Sequence, residues 1–357
     1  MKKNIIANFL ECHSEEATVD RVLYLPLNTS HFNMAKIMAQ QSKYESFIYF
    51  DGHPVTPSEE TTGYRIIVNP VSLTALFPAF NKIVYFIPHI NTNAPDIYKK
   101  IMKAALESSV ALYEVPHGLF QTGYNLTDNA SFIDIASYYD GIGINLPPVT
   151  KNRAKWYGDE GIGYPATIKK AMLKKRILPD FTLISSNTNW YLYSMADKRN
   201  FYNYVFSFAE KNADKMFIWS PHPAELNGDT YTAALRHYLP ENIYLYGMDN
   251  DIYFHGINCT DDLIPYCECA ISTVSTCLLD YEIYHKGVNV FSCAGTERIT
   301  QNLTEAEFFD NEQQLTLEPK KLITGYLKEY SPELFDKFLS KPADPIRPGS
   351  FRFSSLF

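Results

Sequence analysis

Two histidines set beside proline and one hydroxyl-rich turn are the groups in this chain that could do chemistry. Ser220-Pro-His-Pro-Ala-Glu225 follows the apolar run Lys215–Trp219. The prolines at 221 and 223 fix φ at their own positions and push Ser220 and His222 towards extended backbone. That holds His222 in a defined direction, where an imidazolium can neutralise a phosphate oxygen, with Pro223 in the same element. The plainer reading is a strand-to-helix stop signal, with Glu225 favouring a helix N-terminus. Pro116-His-Gly118 follows the run Val110–Val115. Gly118 permits a tight turn that leaves His117 at the rim, and a group titrating near neutrality can take a proton from a hydroxyl. Its plainer reading is a turn histidine.

The turn is Ser272-Thr-Val-Ser-Thr276, inside a segment that runs from Cys267 to Phe291. Ser272, Thr273, Ser275 and Thr276 supply hydroxyl donors, and unpaired N–H groups at a helix start favour an anion such as phosphate. An ordinary N-cap is the alternative. The segment reads as strand, turn, amphipathic helix closed by Gly287, and strand. Asp280 and Glu282 fall on that helix, and Glu282 is a candidate for a ribose or sugar hydroxyl. Ser185-Ser186-Asn187 offers further donor contacts, and Asp140-Gly141 is a reserve base. Asp249-Asn-Asp251 has metal-like spacing in a loop context, so no metal is expected. Cys267-x-Cys269 lacks a second pair with zinc-like spacing, so buried free thiols are expected.

Strand-like runs carry these groups. In the first half they are Arg21–Leu27, Ser46–Phe50, Tyr64–Val68, Lys82–Ile87 and Val110–Val115, with a cap at Asn28–Ser30 and helices through Met34–Gln40 and Pro95–Ser108. The pattern restarts with Phe181–Ile184, Lys215–Trp219 and Ile243–Tyr246, and with helices over Lys198–Asn212 and Thr230–Tyr238. Apolar runs between helices predict parallel sheets covered on both faces. The fold expected is α/β, two doubly wound Rossmann-like domains facing across a cleft. Residues 1–150 form the acceptor-side domain, 151–179 a linker, 180–330 the donor-side domain, and 331–357 a tail packing back. Ile168–Ile177 reads as a basic amphipathic helix, either a solvated linker or a contact with a membrane surface.

The 357 residues are 46% hydrophobic and 20% charged, the balance of a globular protein larger than one typical domain. Net charge is −8, which disfavours a broad grip on nucleic acid. No run reaches the length of a bilayer span, and the N-terminus is a poor signal peptide, so the cytoplasm is expected.

Taken together, the motifs resemble glycosyltransferases of the GT-B fold, above all bacterial enzymes of surface polysaccharide assembly. In sialyltransferases and related Kdo transferases, a His-Pro motif and a Ser/Thr motif hold the phosphate of a CMP-linked donor; His222-Pro223 and Ser272-Thr273 or Ser275-Thr276 match them. CDP-glycerol polyol-phosphate transferases are similar too, through His117-Gly118 and Asp280-Tyr281. Where sialyltransferases have an acidic pair before Gly, this chain has Val115-Pro-His-Gly118, which makes His117 the base candidate.

The resemblance implies a glycosyltransferase moving a sugar from a nucleotide-linked donor, CMP-sugar favoured, to a hydroxyl of a capsule or lipopolysaccharide glycan. Tyr246 and Gly247 would border the nucleobase. The donor is a substrate, so no cofactor is implied, and the partners are that donor, the glycan acceptor and a peripheral contact at the inner membrane. The runner-up is transfer of a polyol phosphate from a CDP-linked donor. A GT-B-shaped epimerase and a non-catalytic glycan-binding protein are the remaining alternatives, and oligomeric state is left open.

Overall fold

The computed structural model describes residues 20–49, 63–67, 77–86, 96–108, 110–115, 118, 152–173, 175–186, 193–222, 225–226, 230–247, 249–296, 300 and 303–342. They divide into two compact units. One takes the described residues up to 115 together with 152–168 and 328–342, and the other takes 118 and 169–327. Among the described residues, no helix is long and apolar enough to cross a membrane.

The first unit is built on β1 (Arg21–Leu25), α1 (Thr29–Gln41), β2 (Glu45–Tyr49), β3 (Tyr64–Ile67), β4 (Lys82–Tyr85), α2 (Asp96–Glu107) and β5 (Ala111–Glu114). All strand pairings are parallel, in the order β3-β2-β1-β4-β5. The chain winds outward from β1 through β2 and β3, then crosses back to β4, so its direction reverses between β1 and β4. Asn28 caps α1 by accepting from the His31 N–H, as its position before the apolar run predicts. Leu23, Leu25, Phe47, Phe80, Ile83 and Ile101 form the core on one face of this sheet.

The C-terminal helix, α7 (Pro332–Leu339), also belongs to this unit. Its Asp336 carboxylate accepts from the Ser42 hydroxyl at 2.7 Å and from the Lys43 N–H at 3.2 Å. Phe335 and Phe338 pack their rings against Tyr24 and Tyr113.

The second unit holds β6 (Thr182–Ser186), α3 (Met195–Lys211), β7 (Phe217–Pro221), α4 (Thr230–Leu235), β8 (Ile243–Leu245), α5 (Thr260–Leu263), β9 (Cys269–Ser272), α6 (Cys277–Ile283), β10 (Gly287–Phe291) and β11 (Glu307–Phe309). Its sheet is parallel, in the order β11-β10-β9-β6-β7-β8. Here the winding reverses between β6 and β9. Ser194 and Asp197 form a capping box that starts α3, and Phe201, Tyr202, Trp219 and Phe291 build an aromatic core beneath it.

Local expectations needed correction at three points. The basic segment expected as an α-helix over Ile168–Ile177 is a 3-10 helix over Pro165–Met172, and the described residues from there to 180 have no regular secondary structure. Gly287 does not close α6. The left-handed residue there is His285, at φ 53°, while Gly287 opens β10 where a Cβ would come within 2.3 Å of the Pro319 carbonyl oxygen. Helix α4 stops at Leu235, with Tyr238 in the turn beyond. The expectation of buried free thiols holds at Cys267 and Cys269, while Cys277 and Cys293 are half-buried and Cys259 is exposed.

Candidate functional site

Ligands of doubly wound sheets gather at the carboxyl ends of strands, where the winding reverses. In the second unit that point is the gap between the ends of β6 and β9, and the register there pairs Ser185 with Ser272. The Ser185 hydroxyl donates to Ser272 Oγ at 2.9 Å, and Ser272 in turn donates to the Thr273 carbonyl at 2.8 Å. Each hydroxyl has a single hydrogen, so Tyr281, 2.8 Å from Ser185 Oγ, must donate to it. A one-way chain from Tyr281 through Ser185 and Ser272 to Thr273 O results. Burial raises the Tyr281 pKa well above its ordinary value, which keeps that donor proton in place. Expected as donor contacts, Ser185 and Ser272 have their hydrogens committed inside the protein.

A second chain lies one residue on. The Tyr202 hydroxyl donates to Ser186 Oγ at 3.0 Å, and Ser186 donates to Glu225 Oε2 at 2.8 Å. Glu225 does open a helical stretch, at 225–226, but it is not a surface carboxylate. Its side chain is 1% exposed and pairs through Oε1 with Lys198 Nζ at 3.2 Å, itself 6% exposed. The same Oε2 accepts from the His222 N–H at 3.1 Å, and the Glu225 N–H donates to the His222 carbonyl at 2.8 Å. His222 keeps an exposed edge. Protein packed around its imidazole lowers the pKa, while the carboxylates of Glu225 and Asp261 pull the other way.

Between these chains is a small cavity lined by Ser186, Tyr193, Lys198, Tyr202, Glu225 and Thr273, with Phe201 and Phe291 on its apolar side. Thr273 is 6% exposed, and its Oγ1 is buried without a hydrogen-bond partner. Buried hydroxyls are normally satisfied, and the cavity has room for about one water, so Thr273 Oγ1 is a group that a water or a single ligand atom can satisfy. The rest of the turn is braced: the Val274 N–H donates to the Tyr193 hydroxyl at 2.6 Å and the Cys277 N–H to Ser275 Oγ at 3.2 Å. Thr276 stands at the cap position of α6 without a side-chain cap bond.

Further along, Asp261, Cys277 and Asp280 bring their ligand atoms within 4.8 Å of one another, a set that could hold a metal ion. Burial works against the Lys169 ammonium, but the combined charges of Asp261, Asp280, Cys259 and Asp262 raise its pKa.

The other expected residues are spread more widely. Tyr246 donates to the Ile257 carbonyl at 2.9 Å and packs on Tyr253 and Phe254, and Gly247 follows at φ 149°. The Glu282 carboxylate accepts from Thr324, both its N–H and its hydroxyl, which engages it in the fold. Asp251 accepts from the Leu245 N–H at 2.9 Å, so it shapes the loop after β8. His117, Pro223, Asn187 and Asp140 lie outside the described residues. Sequence reasoning passed over Lys198, Tyr193 and Tyr202. A lysine at the start of α3 and tyrosines in a tyrosine-rich chain carry no local signal of burial.

No protein-family model matches the chain. No curated protein matches it in sequence. Solved structures match in fold. The UDP-GlcNAc 2-epimerase of Methanocaldococcus jannaschii, in complex with UDP-GlcNAc and UDP, is 11% identical over 90% of this chain and 99% of its own, with a TM-score of 0.52. MnaA of S. aureus, solved with UDP, is 10% identical over 92% of this chain and 100% of its own, with a TM-score of 0.51. The wall teichoic acid polymerase TagF aligns at a TM-score of 0.39, too loosely to carry an argument. What is shared at such identities is the fold, two parallel α/β sheets in one chain, as in GT-B-like proteins.

Proposed function

We propose that the chain is a glycosyltransferase that moves a sugar from a nucleotide-linked donor to a hydroxyl of a bacterial surface glycan, capsule or lipopolysaccharide. The observation that carries the reading is Thr273 Oγ1, buried without a partner at the switch point of a doubly wound sheet and lining one cavity with Lys198. In this reading the donor phosphate meets Thr273, Ser275, Thr276 and His222-Pro223, while Ser185, Ser186 and Ser272 hold the strand ends behind them. The nucleobase lies by Tyr246 and Gly247, with Glu282 reserved to the fold.

His222 suits the role electrostatically. Its surroundings favour the neutral ring in the free protein. An arriving phosphate adds negative charge and favours the protonated ring, so the imidazole becomes a cation when the leaving group needs one. Preorganised charge at the leaving phosphate contributes most to rate. His117 takes the proton of the acceptor hydroxyl. The reading calls on no metal. A CMP-linked donor is favoured by the motif resemblance, in a protein working in the cytoplasm with peripheral contact at the inner membrane.

The test is incubation with CMP-, CDP-, UDP- and GDP-linked donors, with and without a surface-glycan acceptor, following nucleotide release. Acceptor-dependent release that His222→Ala and His117→Ala abolish is the expected result. Both variants retaining the protein's glycan-related function would identify a non-catalytic glycan binder. Transfer of polyol phosphate would appear as CMP released from a CDP-linked polyol. A second reading, epimerisation of a nucleotide sugar, is favoured by the fold neighbours, whose ligands are UDP-GlcNAc and UDP. Sugar conversion without acceptor would select it.

A further inference from the structure

We propose that Glu225 and Lys198 are positioning residues for His222, a buried ion pair built beside the end of β7 to fix where the imidazole stands. The inference rests on the reading above only in taking His222 as a working residue. Replacing a buried ion pair by well-packed apolar side chains is often neutral or stabilising, so the pair gives the fold little that leucine and methionine could not. Its placement therefore calls for another reason, and the hydrogen bonds supply one. Glu225 Oε1 is held by Lys198 at 3.2 Å, while Oε2 receives the His222 N–H at 3.1 Å and the Ser186 hydroxyl at 2.8 Å. The main chain is tied from both sides as well, by Glu225 N–H to His222 O at 2.8 Å and by His222 N–H to Ser186 O at 3.1 Å. One carboxylate thus joins the end of β6, the end of β7 and helix α3 at the residue that carries the imidazole. Among the described residues, the charges acting on that ring are Glu225 from beyond β7 and Asp261 from α5, with Lys198 behind Glu225.

The experiment is a histidine NMR titration of the full chain, with His222 assigned from His222→Gln. Glu225→Gln keeps the size of the side chain and removes its charge, and Glu225→Asp restores the charge. A double variant, Lys198→Met with Glu225→Leu, replaces the pair by apolar groups and keeps the test usable where a single variant fails to fold. The expected result is a lower His222 midpoint in Glu225→Gln, because the Glu225 charge holds it up, and recovery towards wild type in Glu225→Asp. In the double variant the His222 amide exchanges faster and CMP affinity drops about tenfold. Folded variants whose His222 midpoint and amide exchange equal those of the wild type would overturn the proposal. Failure of the wild-type protein to bind CMP, CDP, UDP or GDP bears on the transferase reading alone, and the titration still decides the role of the pair.

Discussion

The hydroxyls of Ser185 and Ser272 meet at 2.9 Å across adjacent strands 87 residues apart, and the hydrogen between them points from Ser185 to Ser272. This separates two kinds of hydroxyl at one strand-end cluster: those spent on joining strands, and Thr273, which is not. Ser185→Ala leaves both Tyr281 and Ser272 short of a buried partner. It should destabilise the second unit by about 1–3 kcal/mol and leave nucleotide affinity within about twofold once folded fraction is accounted for. Denaturant unfolding and calorimetry at one temperature give both numbers.

Thr273→Val should behave in the opposite way. The hydroxyl it removes has no protein partner, so stability should stay within about 0.5 kcal/mol or rise. Affinity for the bound nucleotide should fall by about tenfold. Unchanged affinity would remove Thr273 from the binding surface.

Nucleotide recognition has a direct thermal readout. A nucleotide at a hundred times its Kd stabilises the folded state by about 2.7 kcal/mol. The second unit should therefore melt later with CMP, or with UDP if the epimerase-like reading holds. A flat response to CMP, CDP, UDP and GDP alike would leave the chain without a nucleotide site.

Glu114, at the end of β5, sets a pH dependence in the first unit. Burial pushes its carboxyl up to about 7, against the pull of Arg153 and a hydrogen bond from the Tyr85 hydroxyl at 3.0 Å. The ordinary value is 4.5, so between pH 4.5 and 7 the native state holds a proton that the unfolded chain releases. Stability from this group is full below the lower value and is lost as pH rises through the upper one, by up to about 3 kcal/mol. Glu114→Gln should flatten that fall. Unfolding of wild type and variant at pH 5 and pH 8 isolates the effect, and identical slopes would contradict it.

Two glycines separate strain from collision. Gly163 has φ 82°, and a Cβ there would come within 2.0 Å of the Glu329 carbonyl oxygen, where the chain before the 3-10 helix crosses the strand-like approach to α7. Gly158 has φ 79°, with nothing within 4 Å. Gly158→Ala should cost about 1 kcal/mol. Gly163→Ala should cost more than about 2 kcal/mol, because the backbone contact must open as well. Equal losses in thermal unfolding would mean that the crossing at Glu329 yields easily.

Parts of this arrangement were readable from residue patterns. Short apolar runs such as Val22–Leu25, bounded by turn signals, read as strands of a sheet covered on both faces, and the alternation with helices makes that sheet parallel. Turn chemistry was less secure. Gly287 reads as a helix stop, yet the stop is His285, because Gly287 is needed where the backbone passes Pro319. The 168–177 segment has helical periodicity, but its lysines have different fates, with Lys169 in the field of Asp261 and Asp280 and Lys170 set beside His285.

The amino-acid sequence by itself determined the two parallel sheets and the cluster of Ser, Thr and His at the strand ends of the second, because burial periodicity and strand-end turns are local properties. Only the tertiary structure decided which of those groups are engaged. Whether Ser185 faces Ser272, whether Glu225 finds Lys198, and whether Thr273 is left unpaired depend on residues tens of positions apart coming within 3 Å or so. The direction of a hydrogen bond between such partners leaves no periodic trace along the chain.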